Sequence, residues 1–306
     1  MNPIISRNQM VGKVCLVTGA TSGIGKVTAT TLAAQGAEVI ITGRNREKTE
    51  VTLRQIKSQT GNEAIHYLLA DFSDLGQVRE LASNYKNRYS CLDVLVNNAG
   101  SFFNSRRETQ YGVEMTFLVN HLAPFLLTNL LLETIQESET ARIINVSSDA
   151  HSYGSMDFDD LGFKRGYVGM KAYARSKLAN ILFTNETVRR LGVSSVTVNA
   201  LHPGHVATDI WSTDFSFIGP ALKRVMGLFA LSPEEGADNS IYLASSPDVA
   251  GVTGKYFVKR EPAQSSPLSY DEEIAQRLWG ISEDLTSLTQ TISGADQQPT
   301  SMQPGV

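Results

Sequence analysis

A doubly wound α/β fold, a single domain built on a mostly parallel seven-stranded sheet, is predicted from three observations. Short apolar runs alternate with longer helical patterns along most of the chain. The runs are rich in Val, Ile and Leu without strict alternation, as expected of parallel strands covered on both faces. The 306 residues, 42% of them hydrophobic, suffice for one large core, and no internal repeat or Pro/Gly-rich linker divides them.

The elements follow in order. After an N-terminal extension, residues 1–10, "KVCLVTG" (13–19) reads as the first strand and 24–35 as the first helix. "AEVIITG" (37–43), "AIHYLLA" (64–70), "LDVLVNN" (92–98), "ARIINVS" (141–147), "SVTVNAL" (195–201) and "GKYFVKR" (254–260) read as the other strands. Helices are expected over 46–59, 75–88, 110–136, 170–191 and 233–245. The main domain is placed at 11–290. Two regions break the rhythm. Residues 208–233 form a long connection rich in aromatics, read as a lid. Residues 291–306 are polar and read as a disordered tail.

Composition excludes several classes. A net charge of −4 and a pI near 5.8 leave no basic footprint for nucleic acid. Cys15 and Cys91 sit in or beside apolar runs and read as small buried hydrophobes. The absence of a disulfide framework fits a reducing, cytoplasmic setting. No signal peptide is expected, because "MNPIISRNQMVGK" lacks a long apolar core. The most apolar segment, 117–132, contains Asn120, His121 and Pro124 and falls short of the ~18–20 apolar residues of a membrane helix. It reads as a buried helix, and no transmembrane segment is expected. The five histidines show no metal-ligand pattern, so no metal is expected.

Two stretches carry chemistry. Gly19, Gly23 and Gly25 stand at G-x-x-x-G-x-G spacing between the first strand and the first helix. Glycines there let the backbone turn tightly against a pyrophosphate, and the helix start offers free N–H groups to it. The second strand ends in Gly43 and Arg44, where NAD enzymes place a carboxylate for the ribose 2′-OH. An arginine there suits a 2′-phosphate, so NADP(H) is preferred, with NAD(H) as the alternative. Further on, "MKAYARSKLAN" (170–180) sets Tyr173 and Lys177 four apart on one helix face. Either the tyrosine is core and the lysine passes over it, or the cation lowers the phenol's pKa to make an acid or base.

The ordered set "TGATSGIG" (18–25), "NNAG" (97–100), "NVSS" (145–148), "YARSK" (173–177) and "HPGHVATD" (202–209) resembles the short-chain dehydrogenase/reductases over roughly residues 10–260. "NHLAPFLLTNLLL", "SKLANILF" and "RLWGISEDLT" (277–286) are most similar to its retinol dehydrogenase-like branch. The resemblance implies a Rossmann sheet and an NADP(H)-dependent interconversion of a lipophilic alcohol with its aldehyde or ketone.

It also implies site residues. Tyr173 would be the general acid/base, with Lys177 lowering its pKa and holding the nicotinamide ribose. Ser148, the second of a serine pair, would polarise the carbonyl, and Asn120 would hold a water leading to Lys177. Gly19, Thr21, Ser22, Gly23, Ile24, Gly25 and Arg44 would hold the phosphate end. Asp71 and Phe72 would lie near the adenine, and Asn97, Ala99 and Gly100 beneath the adenosine and central ribose. Pro203, Gly204, Val206 and Thr208 would meet the nicotinamide. Ser148 and Tyr173 stand 25 apart, wider than is typical of the family at large; retinol dehydrogenase-like members carry a similar insertion. Helices 110–136 and 170–191 would be surfaces for a homodimer or homotetramer. Two rival readings stay open. One is a non-catalytic NADP(H)-binding redox sensor or scaffold. The other is a reductase of a steroid, polyketide or tetrapyrrole-like ring.

Overall fold

The computed structural model describes residues 8–204 and 231–288. Strands β1 (Val14–Val17), β2 (Glu38–Gly43), β3 (Ile65–Leu69), β4 (Val94–Asn97), β5 (Arg142–Val146), β6 (Thr197–His202) and β7 (Tyr256–Val258) match the seven expected. An eighth, β8 (Glu261–Ala263), pairs antiparallel with β7 and completes a single sheet of order β3-β2-β1-β4-β5-β6-β7-β8. The sheet thus has eight strands among the described residues, not seven. β8 escaped the sequence because it is three residues long and carries Pro262, which only an edge strand tolerates.

The central strands β1, β2, β4, β5 and β6 bury both faces, so the core has two halves. Leu16, Ile40, Leu95, Ile143 and Val198 face helices α3 (Leu75–Lys86), α5 (Ala123–Leu130) and α7 (Gly169–Leu191). Cys15, Val17, Val39 and Ile41 face α1 (Gly23–Ala34), α2 (Arg46–Thr60) and the helix Pro233–Ser245. The β1–β4 neighbour pair flanks the point where strand order reverses, which is where open α/β sheets bind ligands.

Helix 110–136 proved discontinuous. Glu114 caps a first turn, α4 (Met115–Phe117), its carboxylate accepting from Thr116 N at 2.8 Å and Phe117 N at 3.0 Å. A π-turn, Leu118–Leu122, leads into α5 and then α6 (Leu132–Gln136). Such a turn re-aims side chains and is frequent at functional sites; Asn120 lies within it.

A helix the sequence reading did not assign, Glu272–Thr286, is capped by Asp271 and buries Ala275, Leu278, Trp279, Ser282 and Thr286. Trp279 packs on Phe125 and Phe183, with ring centroids 4.9 and 5.7 Å apart. The helix Glu272–Thr286 therefore packs against both α5 and α7 within the chain. No helix among the described residues is long and apolar enough to cross a membrane.

Candidate active site

The site lies along the carboxyl ends of β1, β4, β5 and β6. At β1, Gly19 takes φ +64° and Gly23 φ +53°, a region that favours glycine. A Cβ on Gly19 would come within 2.8 Å of Ala99 Cα, and one on Gly25 within 2.4 Å of Asn98 Nδ2 and 2.6 Å of Gly19 O. Ser22 stands at the N-cap of α1 but its side chain does not cap the helix. Thr21, Ser22 and Ile24 complete this strand-to-helix turn. The first-turn amides and the space the glycines leave open form a cradle that fits a pyrophosphate.

The end of β2 is equally constrained. A Cβ on Gly43 would fall 2.3 Å from Thr49 Oγ1 and 2.5 Å from Thr21 Cγ2. Arg44 follows, exposed, with no ion pair to any described residue, whereas Arg46 is engaged by Tyr67 at 3.0 Å and Glu50 at 3.6 Å. After β3, Asp71 turns inward on its own loop, accepting from Ser73 N at 2.9 Å and Ser73 Oγ at 2.7 Å. Phe72 is buried in the core.

At β4 the twin asparagines divide their work. Asn97 is buried, its amide donating to Thr128 Oγ1 and Asn145 Oδ1, each at 2.9 Å. Its side chain therefore faces the core and not the cleft. Asn98, which the sequence reading passed over, donates to Thr18 O at 2.8 Å and Gly19 O at 3.3 Å. It ties the glycine loop to β4. Ala99 N donates to Thr18 Oγ1 at 3.0 Å. The doublet "NN" at a strand end was the available signal for Asn98.

Beyond Gly100 the polar groups converge. A Cβ there would lie 3.4 Å from Asn120 Oδ1 and 3.6 Å from Lys177 Nζ. Asn120 accepts from Ser101 N at 2.7 Å and donates to Ser101 O and Ser176 Oγ, each at 3.0 Å. Lys177 Nζ donates to Val146 O at 3.1 Å and lies 5.4 Å from the centre of the Tyr173 ring. Ser148 caps the short 3₁₀ turn Asp149–Tyr153, accepting from Ala150 N at 3.2 Å, and hydrogen-bonds the Tyr173 phenol. Phe102 stands edge-on to Tyr173 at 6.0 Å. Asn120, Ser148, Tyr173 and Lys177 are thus brought together from the π-turn, the end of β5 and α7.

Electrostatics depart from the expectation for the pair. Burial pushes the Tyr173 phenol up to about 12, and the Ser148 hydrogen bond works against that rise. Burial also pushes Lys177 down to about 8. The Asp149 carboxylate raises the phenol further.

The insertion between Ser148 and Tyr173 is pinned by Arg175. Its guanidinium donates to Ser155 O at 2.9 Å, Asp160 O at 2.6 Å and Leu161 O at 3.1 Å, and stacks 3.7 Å from the Phe163 ring. At β6, Pro203 and Gly204 follow the strand, and a Cβ on Gly204 would lie 2.3 Å from Leu231 Cδ1. Val206, Thr208 and the lid up to residue 230 lie outside the described residues. Among the described residues no group of three or more His, Cys, Asp and Glu is placed to hold a metal.

This fold and this arrangement define an oxidoreductase, and comparison with known proteins agrees. The short chain dehydrogenase family pattern matches residues 13–217. The chain belongs to that family, in its retinol dehydrogenase-like branch, whose cofactor is a nicotinamide dinucleotide. It is 42% identical to human (Homo sapiens) retinol dehydrogenase 13 over 288 residues, covering 92% of this chain and 87% of that one. It is 38% identical to human polyprenol dehydrogenase over 282 residues, covering 90% and 86%. Among solved structures, an uncharacterised protein from Mycobacterium paratuberculosis superposes with a TM-score of 0.73 at 33% identity, covering 90% and 94%.

Proposed function

We propose that this chain interconverts a lipophilic alcohol and its aldehyde or ketone with NADP(H), using Tyr173 as general acid/base. The observation that carries the proposal is that Asn120 and Lys177 meet beside Gly100, at the end of the glycine cradle, and that Tyr173 lies between Lys177 and Ser148. A bound nicotinamide supplies the hydride in reduction and takes it up in oxidation.

The chain's own residues do the rest. A phenol pushed up to about 12 holds its proton at neutral pH, so Tyr173 is ready to donate it to the carbonyl oxygen. Ser148 donates a hydrogen bond to that oxygen, stabilising the charge that develops there. Lys177 holds the ribose hydroxyls, and Asn120, fixed by three hydrogen bonds in the π-turn, holds the proton path behind it. The amides at the start of α1 take the pyrophosphate, and Arg44 takes the 2′-phosphate.

A lipophilic substrate is supported by the relatives named for retinol and polyprenol, and by the Phe102 ring beside Tyr173. An NADPH-oxidation screen over carbonyls of graded hydrophobicity tests the reading. We expect kcat/KM to rise by up to ~0.8 kcal/mol per buried methylene while room remains. A small polar carbonyl outperforming every lipophilic one would sink the substrate assignment.

A further inference from the structure

We propose that His151 is a positioning residue for Ser148, a neutral imidazole clamped between two backbone groups that fix its tautomer. The proposal rests on the reading of Ser148 as the group that polarises the substrate carbonyl. His151 Nδ1 lies 2.6 Å from Ser148 O, and Nε2 lies 2.9 Å from Ser266 N. A carbonyl only accepts and an amide N–H only donates. Nδ1 therefore carries the hydrogen and Nε2 the lone pair.

The clamp spans two parts of the fold. Ser148 begins the turn that follows β5, and the Ser148 hydroxyl bonds locally to Asp149 Oδ1 at 3.0 Å and Ala150 N at 3.2 Å. The Tyr173 phenol, the Ser147–Lys177 bond and His202 tie the turn to α7 and β6, and none of these reaches the Ser266 segment. Ser266 precedes the 3₁₀ turn Pro267–Tyr270, which is fastened to α7 by Asn185 Nδ2 donating to Ser269 O at 2.8 Å. His151 joins the two, and the Tyr256 ring on β7 meets it edge-to-face at 4.9 Å. A second imidazole works alongside: His202 Nδ1 accepts from Asp149 N at 3.2 Å.

The clamp has a defined failure. An imidazolium would turn Nε2–H toward Ser266 N–H, two donors facing each other. The titratable groups around the ring are Asp149 on its own turn, Tyr256 on β7, Tyr173 on α7 through Ser148, His202 on β6 across Asp149, and Tyr270 beside Ser265. Burial lowers the His151 pKa, outweighing the Ser148 carbonyl and Asp149, which both favour the cation. The clamp is whole at neutral pH and opens as pH falls below the ordinary imidazole range.

Two measurements test this. Nitrogen NMR of the imidazole-labelled protein without substrate should show the His151 hydrogen on Nδ1 near neutral pH; an Nε2–H tautomer would overturn the proposal. In NADPH-driven carbonyl reduction, His151→Phe keeps the ring and loses both bonds. It should lose roughly tenfold or more in kcat with KM for NADPH changed less than about twofold, as misplacement without lost binding predicts. His151→Asn keeps a donor near Nδ1 and does not titrate. Keeping one of the two bonds, it should recover part of the rate lost in His151→Phe and flatten the acid limb of the kcat profile over the pH range in which circular dichroism shows the fold intact. A wild-type rate in His151→Phe, or an unchanged acid limb in His151→Asn, would contradict the clamp. Ser148→Ala at wild-type rate would instead overturn the reading of Ser148, whatever the tautomer. If His151→Phe does not fold, the tautomer measurement still decides.

Discussion

The Ser147 hydroxyl donates to the backbone carbonyl of Lys177 at 2.7 Å. This bond joins the end of β5 to the middle of α7 and commits the first serine of the pair to structure. Ser148, one residue on, is the one that reaches Tyr173. Ser148→Ala should therefore lower kcat about 10²-fold or more. Ser147→Ala should cost ~1 kcal/mol of stability in urea unfolding and leave kcat nearly intact. The reverse order would show that the serine assignment is shifted by one residue.

Cofactor choice should follow Arg44. Wild type is expected to prefer NADPH, and Arg44→Asp should shift the kcat/KM ratio toward NADH by roughly tenfold or more, the worth of a charge-assisted pair. Gly43 is the wrong place for an introduced carboxylate, because even a Cβ would meet Thr49 Oγ1 at 2.3 Å. Gly43→Ala should lower Tm and weaken both cofactors alike. Equal kcat/KM for the two cofactors in wild type would remove the role given to Arg44.

Acid sensitivity should trace in part to His121. Buried among Phe117, Phe125 and Phe183, with Nε2 3.0 Å from Ser282 Oγ, it is pushed from 6.5 down to about 3. Its pKa is depressed on folding, so its full contribution is present above pH 6.5 and is lost as pH falls toward 3. The slope is ~1.4 kcal/mol per pH unit. His121→Leu should unfold more easily at neutral pH by ~1 kcal/mol and show a shallower loss between neutral pH and about pH 5. Parallel curves for variant and wild type would assign the acid sensitivity elsewhere.

Arg175 should govern the insertion. Arg175→Lys keeps the charge but loses the planar fork that reaches three carbonyls and stacks on Phe163. The expected outcome is faster limited proteolysis between residues 155 and 165 and a KM for lipophilic substrates raised several-fold, about 1 kcal/mol of binding. Unchanged proteolysis and KM would show that the insertion is held by its other contacts.

Particular residues show what the sequence made legible. All seven expected strands are present, because a strand buried on both faces must be a continuous apolar run, as "KVCLVTG" and "ARIINVS" are. The glycine cradle was readable because Gly19 and Gly25 admit no side chain. Continuity of helix 110–136 was misread, since apolar periodicity is blind to the Glu114 cap and to a π-turn at Asn120. The helix Glu272–Thr286 was passed over, although Asp271 supplies a cap and Leu278, Trp279 and Ser282 share a face. The balance of charge at Tyr173 was not legible either. Spacing puts Lys177 beside it but gives no measure of how far burial raises the phenol.

The most direct test is single-turnover hydride transfer in Tyr173→Phe. The substitution removes only the hydroxyl and leaves the ring that packs on Phe102. NADPH binding, read by fluorescence, should be unchanged, and carbonyl reduction should slow by ~10²- to 10⁴-fold, the usual worth of a positioned acid. A variant that binds NADPH normally and keeps more than about a tenth of the wild-type rate would contradict Tyr173 as the proton donor.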